Sequence, residues 1–240
     1  MSNFSAAGFN NSARWWRVVG ALLPQRCVLC EARAGTQLLC IRCARALPAL
    51  PPHCPQCASP TASGCTCGRC LSHPPAFAAT HCAFVYAYPL DALIHALKYG
   101  GSAAHAAIFA EALAALPAPR PDCIVPMPLS NARQRERGYN QAGEIARHLG
   151  RLLRVPVIHG LRRTRDTAPQ AQLALRHRPA NVRDAFAATT LPSGARIALV
   201  DDVMTTGATL DAAARAARAA GSGIVEAWIG ARTLPPDFPS

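Results

Sequence analysis

Four cysteine pairs and one short loop of acids and hydroxyls are the residues in this sequence with chemistry to offer. The cysteines run Cys27-x2-Cys30-x9-Cys40-x2-Cys43 and then Cys54-x2-Cys57-x9-Cys67-x2-Cys70, so the second set repeats the first at an offset of 27. Two thiols separated by two residues can turn back onto one ion. Four thiolates around a tetrahedral centre suit zinc, with an iron–sulfur cluster as the minor alternative. The repeat assigns eight of the eleven cysteines to two four-thiolate sites and leaves Cys65 without a counterpart. Consecutive sharing (Cys27, Cys30, Cys40 and Cys43, then Cys54, Cys57, Cys67 and Cys70) is the simplest pairing, and an interleaved one fits the same spacing. His53 and His73 flank the block and read as surface residues. The plain role of such a block is a metal staple, because about 45 residues with few large apolar side chains cannot build a sufficient core unaided. A second role, contact with nucleic acid, draws on Arg26, Arg33, Arg42, Arg45 and Arg69, with Glu31 the sole acid in the first 90 residues.

The other reactive segment is Ile197-Ala198-Leu199-Val200-Asp201-Asp202-Val203-Met204-Thr205-Thr206-Gly207-Ala208-Thr209-Leu210. An apolar strand ends in two carboxylates, and a loop of small and hydroxyl residues opens an Ala-rich helix. Unpaired N–H groups and the positive end of the helix dipole make Thr205, Thr206, Gly207, Ala208 and Thr209 a seat for a phosphate. Asp201 and Asp202 have the wrong charge for phosphate, but carboxylates accept hydrogen bonds from sugar hydroxyls at the edge where ligands of open α/β sheets bind. The combination describes a ribose phosphate. No Gly-x4-Gly-Lys-Ser/Thr loop is present, which argues against a Walker-type nucleotide site.

A third segment lies between Asp122 and Gln141, where a short apolar strand leads into Pro126-Met127-Pro128-Leu129-Ser130 and then Arg133-x-Arg135-x-Arg137-Gly138-Tyr139-Asn140-Gln141. Arg133 and Arg137 share a side whether the chain there is extended or helical. They can close on a diphosphate as bidentate donors. Lys98, the single lysine among 24 arginines, offers a compact ammonium to a phosphate, with chance as the rival explanation.

The elements that must position these groups follow from periodicity. Phe84 to Tyr88 reads as a strand, Ala92 to Tyr99 and Ala103 to Leu116 as helices, and Cys123 to Val125 as a buried strand. A helix over Gln141 to Arg154, a strand-like Val155 to Ile158, an apolar run Ile197 to Val200, a helix over Ala208 to Ala220 and a strand over Ile224 to Ile229 complete the alternation. Repeated β and α segments predict a parallel sheet flanked by helices. The expected organisation is an N-terminal segment 1–25 with a short helix near Trp15 to Leu23, a double zinc-binding module 26–72, an α/β domain 80–233 and a frayed tail 234–240. Half of the 240 residues are hydrophobic, which excludes a disordered or fibrous chain. The net charge of +12 is uneven, with +9 of it over residues 120–183, and favours polyanionic partners. No apolar run reaches the roughly 18 to 20 residues of a membrane helix, and no export signal is legible. The expectation is a cytoplasmic protein without a membrane span, in a reducing compartment.

The Asp201 to Thr209 segment resembles the phosphoribosyl-pyrophosphate motif of type I phosphoribosyltransferases. Taken with Leu97-Lys98-Tyr99, Val125 to Leu129, Arg137 to Gln141, Arg163 through Thr167 with Gln170, and Asn181-Val182 with Phe186, it resembles the ComF (competence, or GntX-type) family over about residues 26–232. Met127 stands where that family more usually carries valine. The resemblance implies a type I phosphoribosyltransferase-like fold behind a small zinc-ribbon-like module with two structural zinc ions. It implies phosphoribosyl pyrophosphate with magnesium as ligand, and a role in competence, DNA uptake and use of DNA. Thr205 to Thr209 would take the 5-phosphate and Asp201 and Asp202 the ribose as the catalytic pair. Met127, Pro128, Leu129 and Ser130, with Arg133 or Arg137, would take the pyrophosphate. Lys98, Tyr99, Arg135 and Tyr139 would be further phosphate or DNA contacts. The acceptor of a phosphoribosyl transfer is not legible. The alternative is a non-catalytic competence factor that binds single-stranded DNA and partners of the uptake machinery while retaining the ligand site.

Overall fold

The computed structural model describes residues 25–100, 104–164 and 185–235. Its contacts divide the chain into two compact units that meet in sequence between Leu47 and Pro48, so one four-cysteine group falls in each. In the first unit, β1 (Gln25–Arg26) pairs antiparallel with β2 (Arg33–Gly35), and the short helix α1 (Ile41–Arg45) starts directly after Cys40.

The second unit opens with the second cysteine set, whose helix α2 (Gly68–Ser72) starts directly after Cys67. It continues with β3 (Thr80–Val85), α3 (Leu90–Tyr99), α4 (His105–Ala114), β4 (Cys123–Pro126), α5 (Asn131–Arg137) and α6 (Gln141–Leu153). The antiparallel pair β5 (Leu161–Arg163) and β6 (Phe186–Ala188) follows, then β7 (Ile197–Met204), α7 (Ala208–Ala219) and β8 (Val225–Arg232).

Four strands form a parallel sheet in the order β3-β8-β7-β4. Such a sheet is covered on both faces, and its central strands read as continuous apolar runs rather than alternating ones. All eight residues of β8 and the first four of β7 are buried accordingly. In α6, Ala142, Ile145, Ala146 and Leu149 recur at helical spacing and form its buried stripe, while α7 buries Leu210, Ala213, Ala214 and Ala217.

Several boundaries depart from the sequence-based expectation, among them the last strand, expected over Ile224 to Ile229 and found at Val225–Arg232. The strand expected at Phe84 to Tyr88 lies at Thr80–Val85, because its partner β8 runs alongside from Ala227 to Arg232 and Pro89 caps the next helix. Val155 to Ile158 makes only one parallel bridge, Val157 to Ile124, since Pro156 has no N–H to extend the ladder. Strand β7 does not stop at Val200 but carries Asp201 and Asp202 inside it, because β8 pairs with it as far as Met204. Residues 101–103, the segment 165–184 with Thr167, Gln170 and Asn181-Val182, the expected N-terminal helix and most of the tail lie outside the described residues. No helix among the described residues is long and apolar enough to cross a membrane.

Candidate functional site: two four-cysteine groups and the carboxyl edge of the sheet

The eight cysteines group as Cys27, Cys30, Cys40 and Cys43, and as Cys54, Cys57, Cys67 and Cys70, which settles the pairing as consecutive. The sulfurs of each group lie within 4.8 Å of one another. Zinc–sulfur bonds of about 2.3 Å in a tetrahedron would set neighbouring sulfurs about 3.8 Å apart. Cys30 Sγ and Cys40 Sγ are separated by 3.6 Å, and Cys57 Sγ and Cys67 Sγ by 3.7 Å. An all-thiolate tetrahedral set of this size fits structural zinc.

The 27-residue repeat extends to the backbone. Glu31 N donates to Cys27 O at 2.8 Å and Ala58 N to Cys54 O at 2.9 Å; Cys27 N donates to Ala32 O and Cys54 N to Ser59 O, both at 2.8 Å. Glu31 and Ala58, which follow the second cysteine of each turn, both adopt left-handed backbone, with φ of 60° and 54°. Burial opposes ionisation of Cys54, but backbone N–H groups of Cys67, Cys57 and Gln56 outweigh it and bring the thiol down to about 7. Cys27 behaves alike, down to about 6, against its own burial and through the N–H groups of Cys40, Leu29 and Cys30. Cys43 is pushed up to about 12, first by its hydrogen bond with Cys30. Four adjacent sulfurs therefore resist common ionisation unless a cation lies among them. Cys65, His53 and His73 belong to neither group.

At the carboxyl ends of β4 and β7 a cavity of about 400 Å³ opens between the loop after β4, helix α5 and the loop before α7. Its two sides come from different crossovers. On one side, β4 ends at Pro126, and Met127 N donates to Val200 O at 2.9 Å to keep the chain beside β7. Ser130 then caps α5 by accepting from Arg133 N at 3.3 Å, and Gly138 ends it at φ 76°. Asn140 ties this loop to α6, donating from Nδ2 to Met127 O at 2.9 Å while its Oδ1 accepts from Gly143 N at 3.3 Å. On the other side, Gly207 starts α7 at φ 81°, and a Cβ there would stand 2.6 Å from Met204 Cε. Only glycine fits that turn without displacing Met204.

Asp201 and Asp202 form the acidic floor. The Asp201 carboxyl is held well above the usual carboxylate range, first by burial and then by the neighbouring Asp202 charge. Lys98, at the end of α3, brings Nζ to 3.1 Å from Asp202 Oδ2. The ammonium that the sequence points toward a phosphate is thus paired with one of the expected ribose-binding carboxylates. The site is built as an acid pair countered by one lysine, in a cavity that three arginines (Arg133, Arg137 and Arg163) also line.

Of the expected site residues, Met127, Pro128, Leu129, Ser130, Arg133 and Arg137 line this cavity together. Asp201, Asp202, Thr205, Gly207, Thr209 and Lys98 face it from the other side. Thr206 lines a separate space of about 240 Å³ beside Arg69 and His73. Its Oγ1 accepts from Ala208 N at 3.3 Å, so Thr206 shapes the turn. Ala208, Tyr99, Arg135 and Tyr139 do not line the cavity. Tyr139 donates its hydroxyl to Leu97 O, and Tyr99 lies under Arg137, whose guanidinium carbon is 5.2 Å from the ring centroid. Arg163, Asn140 and Arg232 were not singled out as site residues on the sequence. Arg163 lines the cavity from β5, and Arg232 holds the loop from below. Arg163 sits in a matched motif and could have been found there, whereas Arg232 closes an otherwise apolar strand and carries no motif.

A parallel sheet with an acidic pair in β7, a Thr-Thr-Gly turn into α7 and two four-cysteine sets defines the class: an α/β protein joined to a double zinc ribbon. The double zinc ribbon domain family matches residues 18–71. The chain is 35% identical over 224 residues to DNA utilization protein YhgH of Escherichia coli (strain K12), covering 88% of this chain and 99% of that one. It is 32% identical over 174 residues to Competence protein F of Haemophilus influenzae, covering 68% and 76%. The chain belongs to this family, the ComF family. Among solved structures, a purine phosphoribosyltransferase from Pyrococcus horikoshii overlaps 67% of this chain and 96% of its own at 16% identity and a TM-score of 0.29. The protein TT1426 from Thermus thermophilus overlaps 60% and 86% at 20% identity and a TM-score of 0.31.

Proposed function

We propose that the chain binds 5-phosphoribosyl pyrophosphate at the carboxyl edge of its sheet and serves the use of DNA. The observation that carries this reading is one cavity lined together by the Asp201-Asp202 pair, by Thr205, Gly207 and Thr209 of the turn, and by Arg133 and Arg137. Each part suits one part of that ligand. Backbone N–H groups at the start of α7 and the threonine hydroxyls suit the 5-phosphate. The Asp201 and Asp202 carboxylates accept from ribose hydroxyls, and the two guanidiniums with the Met127 to Ser130 loop suit the pyrophosphate. Magnesium would arrive on the ligand and offset its phosphate charge.

Transfer on this site would break the bond between the anomeric carbon and pyrophosphate as a nitrogen nucleophile forms its own bond there. The residues would act by positioning and electrostatics, with the arginines meeting charge that develops on the leaving group. The link to DNA rests on the names of the relatives and on the concentration of arginine over residues 120–183.

Calorimetry with phosphoribosyl pyrophosphate and magnesium tests the ligand. Binding by the wild type, lost in Asp201→Ala/Asp202→Ala, is expected; no heat for the wild type, or equal heat for both, refutes the reading. Pyrophosphate release across free bases, ammonia and single-stranded DNA separates transfer from binding. The second reading, a DNA-binding module that only holds the ligand, is favoured by binding without release and by DNA affinity that falls steeply with salt.

A further inference from the structure

Arg232, the last residue of β8, is 4% exposed and has no carboxylate among its hydrogen-bond partners. Its guanidinium reaches in two directions. Toward the second cysteine set, Nε donates to Cys57 O at 3.1 Å and Nη2 to Ser59 Oγ at 3.1 Å. Toward the loop, Nη1 donates to Met204 O at 3.2 Å, to Thr233 O at 2.7 Å and to Thr205 O. Arg69, one residue before Cys70, repeats the link from outside by donating from Nη2 to Thr206 O at 3.1 Å. Three consecutive loop carbonyls are thereby held by two arginines anchored in or beside the second cysteine set.

A buried guanidinium without a carboxylate needs a counter-charge. Zinc held by the thiolates of Cys54, Cys57, Cys67 and Cys70 would carry a net charge of about −2, and the Arg232 guanidinium is hydrogen-bonded to the backbone oxygen of Cys57. The same carbonyls belong to the turn whose N–H groups open α7. Holding Met204, Thr205 and Thr206 by their oxygens fixes the orientation of the peptide groups that lead into α7.

We propose that the second four-cysteine centre holds the Met204 to Thr209 turn in its ligand-ready geometry, with Arg232 and Arg69 as the positioning residues that couple zinc to ligand. The ligand part of this inference rests on the reading under Proposed function; the coupling itself does not. Linkage requires it to be reciprocal, so a phosphate ligand on the turn tightens the second zinc, by about fivefold or more if the coupling is of ordinary size.

The test uses the full chain and reads zinc content, amide hydrogen exchange, and equilibrium zinc affinity against a chromophoric chelator with and without ribose 5-phosphate. Arg69→Ala, at an exposed position, is expected to keep two zinc ions and normal exchange in β8 while amides of Met204 to Thr209 exchange about tenfold faster. Arg69→Lys restores part of that protection, which a loss of general stability would not explain. Ribose 5-phosphate is expected to tighten one of the two zinc ions in the wild type and neither in Arg69→Ala. Arg232→Lys gives the larger effect; if it fails to fold, Arg69→Ala still decides. Loop exchange indifferent to Arg69→Ala, or ribose 5-phosphate that binds yet tightens neither zinc, overturns the proposal. If the wild type does not bind ribose 5-phosphate, the ligand reading is judged by the calorimetry with phosphoribosyl pyrophosphate, and the exchange result alone decides the coupling.

Discussion

The two cysteine repeats have the same spacing, the same backbone hydrogen bonds and the same left-handed residue after the second cysteine, yet they differ in what the chain attaches to them. The first belongs to the small unit ending at Leu47. The second lies in the large unit, where Thr80 N donates to Pro55 O at 2.9 Å and Arg232 bonds to Cys57 O and Ser59 Oγ. Cys54, Cys57 and Cys70 are part of the hydrophobic core built around α7 and the sheet. A repeat thus fixes local form, while its role depends on the residues that meet it from elsewhere. In the second copy those residues are Thr80, at the start of the α/β domain, and Arg232, at its end.

The largest effect that would break this contrast is loss of one ligand in each copy. Cys40→Ser is expected to cost one zinc and the order of residues 25–47. Cys67→Ser is expected to cost one zinc and to lower the Tm of the large unit by about 10 °C or more, because it unmoors Arg232 and part of the core. Zinc content and thermal unfolding check both, and equal shifts from the two substitutions would show that the copies are equivalent after all.

Gly207→Ala sharpens the contrast from the loop side. With φ at 81°, an alanine there strains the backbone by about 1 to 3 kcal/mol, and the end of the flexible Met204 side chain, whose Cε lies 2.6 Å from the new methyl, must move aside. Both zinc ions are expected to stay, while affinity for phosphoribosyl pyrophosphate falls about tenfold or more in calorimetry. Loss of zinc in this variant would mean that the metal depends on the turn more strongly than the coupling proposed above allows.

How much of this was legible in the sequence depends on the range of the interaction. The Cys-x2-Cys spacing and its offset are local, and they pointed to two four-cysteine groups; only the geometry chose consecutive over interleaved sharing. The strand, acidic pair and Thr-Thr-Gly turn are contiguous and were readable as one segment. Strand ends were less so, because β7 runs on to Met204 only since β8 lies beside it, and pairing across the sheet leaves no local trace. The pairing of Lys98 with Asp202 escaped for the same reason, being a contact over more than a hundred residues. Arg232 was hidden further, since an arginine at a strand end normally reads as a solvated charge.

A smaller effect separates the floor of the site from its supports. Burial and the Asp202 charge raise the Asp201 carboxyl above its value near 4 in an unfolded chain. Between that value and the raised one the folded chain binds the extra proton. The protonated state therefore favours folding, and this contribution is present below about pH 4 and lost as pH rises through the folded value. Asp201→Asn, which cannot ionise, is expected to raise the Tm by a few degrees at pH 8, with the gain shrinking toward pH 4. Both zinc ions stay. A gain that grows on acidification would reverse the assignment.

The smallest effect distinguishes arginines that the sequence places side by side. Arg133 and Arg137 recur one helical turn apart on α5 and face the cavity, whereas Arg135 points away from it and is exposed. Removing either inward guanidinium takes away a charge-assisted donor and should weaken phosphoribosyl pyrophosphate about tenfold. Arg135→Ala is expected to change that affinity less than twofold and stability by no more than about 0.5 kcal/mol. If all three substitutions weaken the ligand equally, the arginines act as a diffuse field that salt would screen. A helix-spaced pair closing on one diphosphate would then be the wrong description of this side of the site.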